Sequence, residues 1–131
     1  MGTPWEVGLA GCIFFFEDVD APAWYIDGML TQLKQAGKLD GVVGVVVGDM
    51  HQCDWSERRP EWPQTRSIED VLELHLQPLG VPVLYKLPLG HAKHLAALPL
   101  GVEATLDADA RTLVIEQPVL VKEGQTEEEA P

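Results

Sequence analysis

The chain has 131 residues, a size that suits one domain able to bury a core of its own. Hydrophobic residues make up 46% of it, and 21 acidic against 9 basic residues give a formal net charge of −12. That balance leaves no basic patch to neutralise phosphates and disfavours an anionic membrane surface, so neither nucleic acid nor a membrane is an expected partner. No signal peptide is visible, the apolar runs are too short to span a bilayer, and the expected location is cytoplasmic. Two cysteines, Cys12 and Cys53, make no disulfide framework.

In chain order, Gly11–Phe16 is a continuous apolar run, which predicts a strand covered on both faces. Cys12 falls inside it and is expected to be a small buried hydrophobe. Asp20 reads as a helix cap with Pro22 in the first turn. A helix follows over 22–36, with Ile26, Met29, Leu30 and Leu33 as its buried stripe and Gly37 as its stop. Val42–Val47 predicts a second strand, and Asp49–Ser67 a long polar loop rich in Trp, Arg and Pro. Ser67 or Thr65 starts a second helix over Ile68–Leu79, with Glu69 and Asp70 at its positive end and Gly80 after it. Val81–Leu87 predicts a third strand. The order β-α-β-α-β implies parallel strands. Val102–Leu106 and Arg111–Glu116 then flank the turn Asp107–Ala110 as an antiparallel hairpin. The expected fold is α/β: a mixed sheet with a parallel core and a C-terminal hairpin. Residues 1–121 form the domain, and the charged segment 122–131 is an expected disordered tail.

Parallel strands bring three polar clusters to one edge: Glu17-Asp18, Gly48-Asp49-Met50-His51, and Pro88-Leu89-Gly90-His91. Open α/β sheets bind ligands beyond that carboxyl edge. Glu17 leaves a run of three phenylalanines and needs a partner. A carboxylate bonded to one nitrogen of His91 would fix the tautomer and leave the other nitrogen free to move a proton. The plainer reading makes Glu17 a cap or surface ion pair and His91 a loop histidine. A rival chemistry gathers Glu17, Asp49, His51, His91 and His94 around a metal, His91 and His94 being three apart, yet no HExxH or paired CxxC exists. No metal and no cofactor is the expectation. Cys53, two residues after His51, suggests a Cys/His pair, but it lacks an activating helix N-terminus. Ser56, Thr65 and Ser67 are the hydroxyls of the long loop, and none sits on a GxSxG elbow, so no nucleophile accompanies the Glu–His pair. Trp55, Arg58, Arg59 and Trp62 suit contact with an anionic or planar ligand, or with another domain.

The runs Phe14-Phe15-Phe16-Glu17-Asp18-Val19, Trp24-Tyr25-Ile26-Asp27 and Met29-Leu30-Thr31-Gln32-Leu33 resemble the LD-carboxypeptidase family of serine peptidases, which includes the microcin C immunity peptidases. Gly44–Gly48, Ile68–Leu79, Gly80-Val81-Pro82-Val83-Leu84, Pro88-Leu89-Gly90-His91 and Leu98-Pro99-Leu100-Gly101 extend the resemblance over about Gly2 to Ile115. The resemblance implies a two-domain enzyme. An N-terminal domain carries the nucleophilic serine and oxyanion hole, and a C-terminal swivelling β/β/α domain carries a glutamate and a histidine, which fall on Glu17 and His91. This chain resembles the C-terminal domain, with Met1–Trp5 at the interdomain junction and no counterpart of the serine. The family hydrolyses an amide next to a free carboxylate, such as the terminal D-alanine of a cytoplasmic muropeptide tetrapeptide in peptidoglycan recycling. The implied partners are the N-terminal nucleophile domain, a peptide or muropeptide substrate, and a second copy through the face left uncovered. The chain alone is then expected to be inactive, as an excised domain or half of a split enzyme. The alternative is a stand-alone binding domain that has lost its catalytic partner. Two positions depart from the family: Gly28, often arginine, and Ala92, often glycine.

Overall fold

A parallel strand must cross over to reach its neighbour, and two helical segments supply those crossovers. The computed structural model describes residues 2–54, 61, 66–91 and 93–117. Strands β1 (Ile13–Val19), β2 (Gly44–His51) and β3 (Val83–Tyr85) pair in parallel in the order β1-β2-β3. Helix α1 (Ala23–Gln35) joins the first two. Helix α2 (Ile68–Leu76), continued by a 3-10 turn over Gln77–Leu79, leads to the third. No helix among the described residues is long and apolar enough to cross a membrane.

The register divides the side chains by face. Phe14 lies level with Val45 and Val83, and Phe16 with Val47 and Tyr85. These six pack with Ala23, Ile26 and Leu30 of α1 and Ile68, Val71, Leu72 and Leu76 of α2 in one core. Ile13, Phe15 and Val46 point the other way. They line a groove closed by Leu98, Pro99, Val102 and the second sheet, formed by β4 (Ala104–Asp107) and β5 (Thr112–Ile115). Apolar cover on both faces is why the strands read as unbroken apolar runs.

The structure corrects several expectations. The hairpin is a separate two-stranded antiparallel sheet, so the predicted single mixed sheet is instead two sheets. Cys12 is exposed and precedes β1, because Cys12 N–H bonds the Leu9 carbonyl and holds residues 9–12 in a turn. Asp20 does not cap α1. The cap position is Pro22, and Asp20 takes a left-handed conformation, its N–H donating to the His51 carbonyl at 2.8 Å. Strands β1 and β2 run on through Glu17–Val19 and Gly48–His51, so the polar loop starts after His51. Residues 55–60 and 62–65 of that loop, Ala92 and the tail 122–131 lie outside the described residues. Strand β3 is three residues long, ending where Lys86 turns left-handed.

The helix ends follow the sequence. Gly37 N–H bonds Lys34 O, and Lys38 N–H bonds Leu33 O, closing α1 with a left-handed glycine. Ser67 caps α2: its hydroxyl accepts from Asp70 N–H at 3.1 Å, and the Asp70 carboxylate accepts from Ser67 N–H at 3.2 Å.

Two outcomes follow from these helices. Gly28 is exposed inside α1, with open space where a Cβ would stand. Gly28→Ala should raise stability by about 1 kcal/mol in urea titrations. Hydrogen bonds from Ser67, side chain first and backbone second, hold the Asp70 carboxyl below its usual 3.8. A depressed carboxyl contributes stability above its unfolded pKa and loses it as pH falls through the folded one. Asp70→Asn should therefore flatten the acid limb of the stability–pH curve.

Candidate active site

Glu17 and His91 are 74 residues apart and meet at the carboxyl edge of the sheet, His91 Nδ1 lying 2.8 Å from Glu17 Oε2. The meeting begins in the β1–β2 register. Phe16 pairs with Val47 and Asp18 with Met50, so Glu17 alone faces both Gly48 and Asp49. This is a β-bulge, which re-aims side chains next to it. The chain after β3 then docks on the bulge. Leu87 N–H reaches Val47 O at 3.4 Å, and Asp49 N–H donates to Leu89 O at 2.8 Å. Leu89 is buried, and Gly90 at φ +97° turns the backbone so that His91 comes back over Glu17. The Glu17 side chain is 26% exposed and that of His91 53%, so the pair is reachable from outside the domain. An ionised carboxylate only accepts, so the neutral ring donates Nδ1–H to Glu17 and keeps its lone pair on Nε2.

The other candidates do not join them. Asp49 and His51 form a separate, looser pair, Oδ2 to Nδ1 at 3.5 Å. His94 is exposed and lines a different cavity of about 600 Å³ with Asp54, Lys86 and Lys93. Among the described residues no three His, Cys, Asp or Glu side chains gather as metal ligands. Cys53 is fully buried, its Sγ directed to the Asp18 and His51 carbonyls, and burial pushes the thiol up to about 11. It is a core side chain and no thiolate nucleophile at neutral pH. Ser67 is committed to capping α2. Thr65, Ser56, Trp55, Arg58, Arg59 and Trp62 lie outside the described residues.

Comparison with known proteins decides the family. The model of the LD-carboxypeptidase C-terminal domain matches residues 1–106. This chain belongs to the LD-carboxypeptidase family. A "Probable murein peptide carboxypeptidase" of Bacillus subtilis is 37% identical over 116 residues, covering 88% of this chain and 35% of its own. The microcin C7 self-immunity protein MccF of Escherichia coli is 29% identical over 126 residues, covering 93% of this chain and 34% of its own. The crystal structure of a muramoyltetrapeptide carboxypeptidase from Oxalobacter formigenes superposes with a TM-score of 0.65 at 30% identity, over 79% of this chain and 35% of that one. The chain thus spans about a third of the length of the curated relatives it matches.

One polar pair of this LD-carboxypeptidase domain escaped the sequence reading. His75 is buried between the helices, its Nε2 2.6 Å from Asp27 Oδ1 on α1. Its Nδ1 is buried without a hydrogen-bond partner among the described residues. The signal was present: Ile68, Val71, Leu72, His75 and Leu76 fall at i, i+3, i+4, i+7 and i+8, the stripe of a core-facing helix side.

The two cysteines should separate chemically. Titration with a chromogenic disulfide at pH 8 should label Cys12 in the native protein and Cys53 only after denaturation. Two thiols reacting alike in the native state would contradict the burial of Cys53.

Proposed function

We propose that this chain is the glutamate- and histidine-bearing half of a Ser–Glu–His carboxypeptidase, acting on an amide bond next to a terminal carboxylate. The observation that carries the reading is the 2.8 Å hydrogen bond between Glu17 and His91 at the open edge of the sheet. The nucleophilic serine and the oxyanion donors belong to a second domain, in a longer chain or a separate one. The names of the B. subtilis and O. formigenes proteins favour a murein tetrapeptide as substrate.

In this reading His91 Nε2 takes the proton from the serine hydroxyl as its oxygen bonds the scissile carbonyl carbon. The tetrahedral intermediate collapses, the C–N bond breaks, and His91 delivers the proton to the leaving nitrogen. Water then repeats the sequence on the acyl-enzyme and frees the serine. Glu17 holds the ring in the Nδ1–H tautomer and stabilises the imidazolium. Without the serine domain neither bond change has a nucleophile, so the 131 residues alone are inactive. Exposed Trp5, Val7 and Leu100 offer apolar surface for that second domain, or for a second copy in its absence.

Release of D-alanine from a muropeptide tetrapeptide tests the reading, with the chain alone and mixed with a family serine domain. Activity is expected only in the mixture, and His91→Ala should lower it by about 10²–10⁴-fold. Activity of the chain alone would overturn the two-domain assignment. Inactivity of the mixture despite complex formation would favour a binding domain.

A further inference from the structure

Glu17 reaches His91 across two places where the backbone carries no side chain. A Cβ built on Gly48 would stand 2.6 Å from the Leu89 carbonyl oxygen and 2.9 Å from Glu17 Cβ. A Cβ on Gly90 would stand 2.3 Å from Glu17 Oε2 and 2.7 Å from Glu17 Cγ and Cδ. Real Cβ atoms do not come that close, so each position must stay bare while Glu17 keeps its place. The two contacts act differently. Gly48 is the bulge residue that admits both the Leu89 carbonyl and the root of the Glu17 side chain. Gly90 forms the floor under the carboxylate itself, one residue before the ring that the carboxylate binds.

We propose that Gly48 and Gly90 are positioning residues that clamp the Glu17 carboxylate against His91 Nδ1 and so set the tautomer of the ring. This rests on the reading of Glu17 and His91 as the orienting carboxylate and the proton carrier. A methyl at 90 occupies the volume of Oε2, so the carboxylate leaves and Nδ1 loses its acceptor. A methyl at 48 lifts the Leu89 carbonyl off the bulge, and His91 is displaced with its loop.

The test is long-range ¹⁵N–¹H correlation of the histidine rings in the ¹⁵N-labelled 131-residue chain, above the pH at which the rings are protonated. The native ring should show Nδ1–H as the major tautomer, and Glu17→Gln should weaken that preference. Gly90→Ala and Gly48→Ala should each shift the His91 tautomer ratio by at least about ten-fold toward Nε2–H, the loss expected when a charge-assisted hydrogen bond goes. Gly80→Ala is the control, because Gly80 is also left-handed at φ +65° but nothing stands within 4 Å of its Cβ position. It tests a left-handed glycine that lacks the Cβ contact and should leave the ratio unchanged. In a Glu17→Ala background, which removes the acceptor, Gly90→Ala should add no further shift. A native-like tautomer in folded Gly90→Ala overturns the proposal, as does an equal shift with Glu17 absent. If Gly48→Ala does not fold, Gly90→Ala decides alone, since it alters the loop after β3 and no strand. A native ring that is not Nδ1–H would instead overturn the Glu–His reading itself, and the Glu17→Gln comparison separates the two failures.

Discussion

Strand β2 is held on both sides, by β1 along its length and by β3 at Val45–Val47, and at Gly48-Asp49 it sets two residues against one of β1. Everything at the carboxyl edge depends on that mismatch. Val45, Val46 and Val47 are fully buried, and burial at about 1.5–3 kcal/mol per side chain fixes the height of β2 in the sheet. A slip of one residue would turn Val45 and Val47 from the helix face to the hairpin face and Val46 the other way. With the register locked, the bulge falls on Glu17, the Asp49 N–H is left for the Leu89 carbonyl, and the loop after β3 has a fixed landing point. The core and the polar edge are therefore one construction: the valines set the position, and the bulge turns that position into a meeting of two distant side chains.

Much of this architecture was legible from the residues. Three apolar runs alternating with two helical stripes leave few arrangements besides a parallel sheet with crossovers, and Gly37, Ser67 and Gly80 stand at helix ends where capping chemistry puts them. What escaped was the detail that pairing decides. The continuation of β1 and β2 into charged residues carries no apolar signal, because Asp18 and His51 join the ladder through their backbones. Asp20 is a residue type that caps helices, yet the cap position falls on Pro22, and Asp20 turns left-handed with its N–H on the His51 carbonyl of the neighbouring strand. The hairpin has the correct strands and turn, but whether it extends the first sheet or covers it is a question of packing: Leu106 lies where a Cβ on Gly44 would stand, so it covers.

The site was legible to a similar depth. A glutamate leaving three phenylalanines and a histidine after a glycine could be placed at one edge from topology alone, and the structure brings them together. The group that approaches the bare backbone of Gly90 is the Glu17 carboxylate. Cys53 looked like a loop thiol beside a histidine, but the turn after β2 folds it into the core. Membership of the LD-carboxypeptidase family gives these residues their context, and the chain spans about a third of the length of the curated relatives it matches.

The separation of 74 residues between the two partners has a kinetic meaning. A hairpin such as β4–β5 closes locally, within microseconds in isolated systems. Glu17 and His91 have no such short route: β1 must find β2 across one helix, and β3 must find β2 across another, before the loop has a bulge to land on. Long-range parallel pairings are the slow part of folding. The hydrogen bond at the edge thus needs both pairings in place, and a chain that shows it has completed both crossovers.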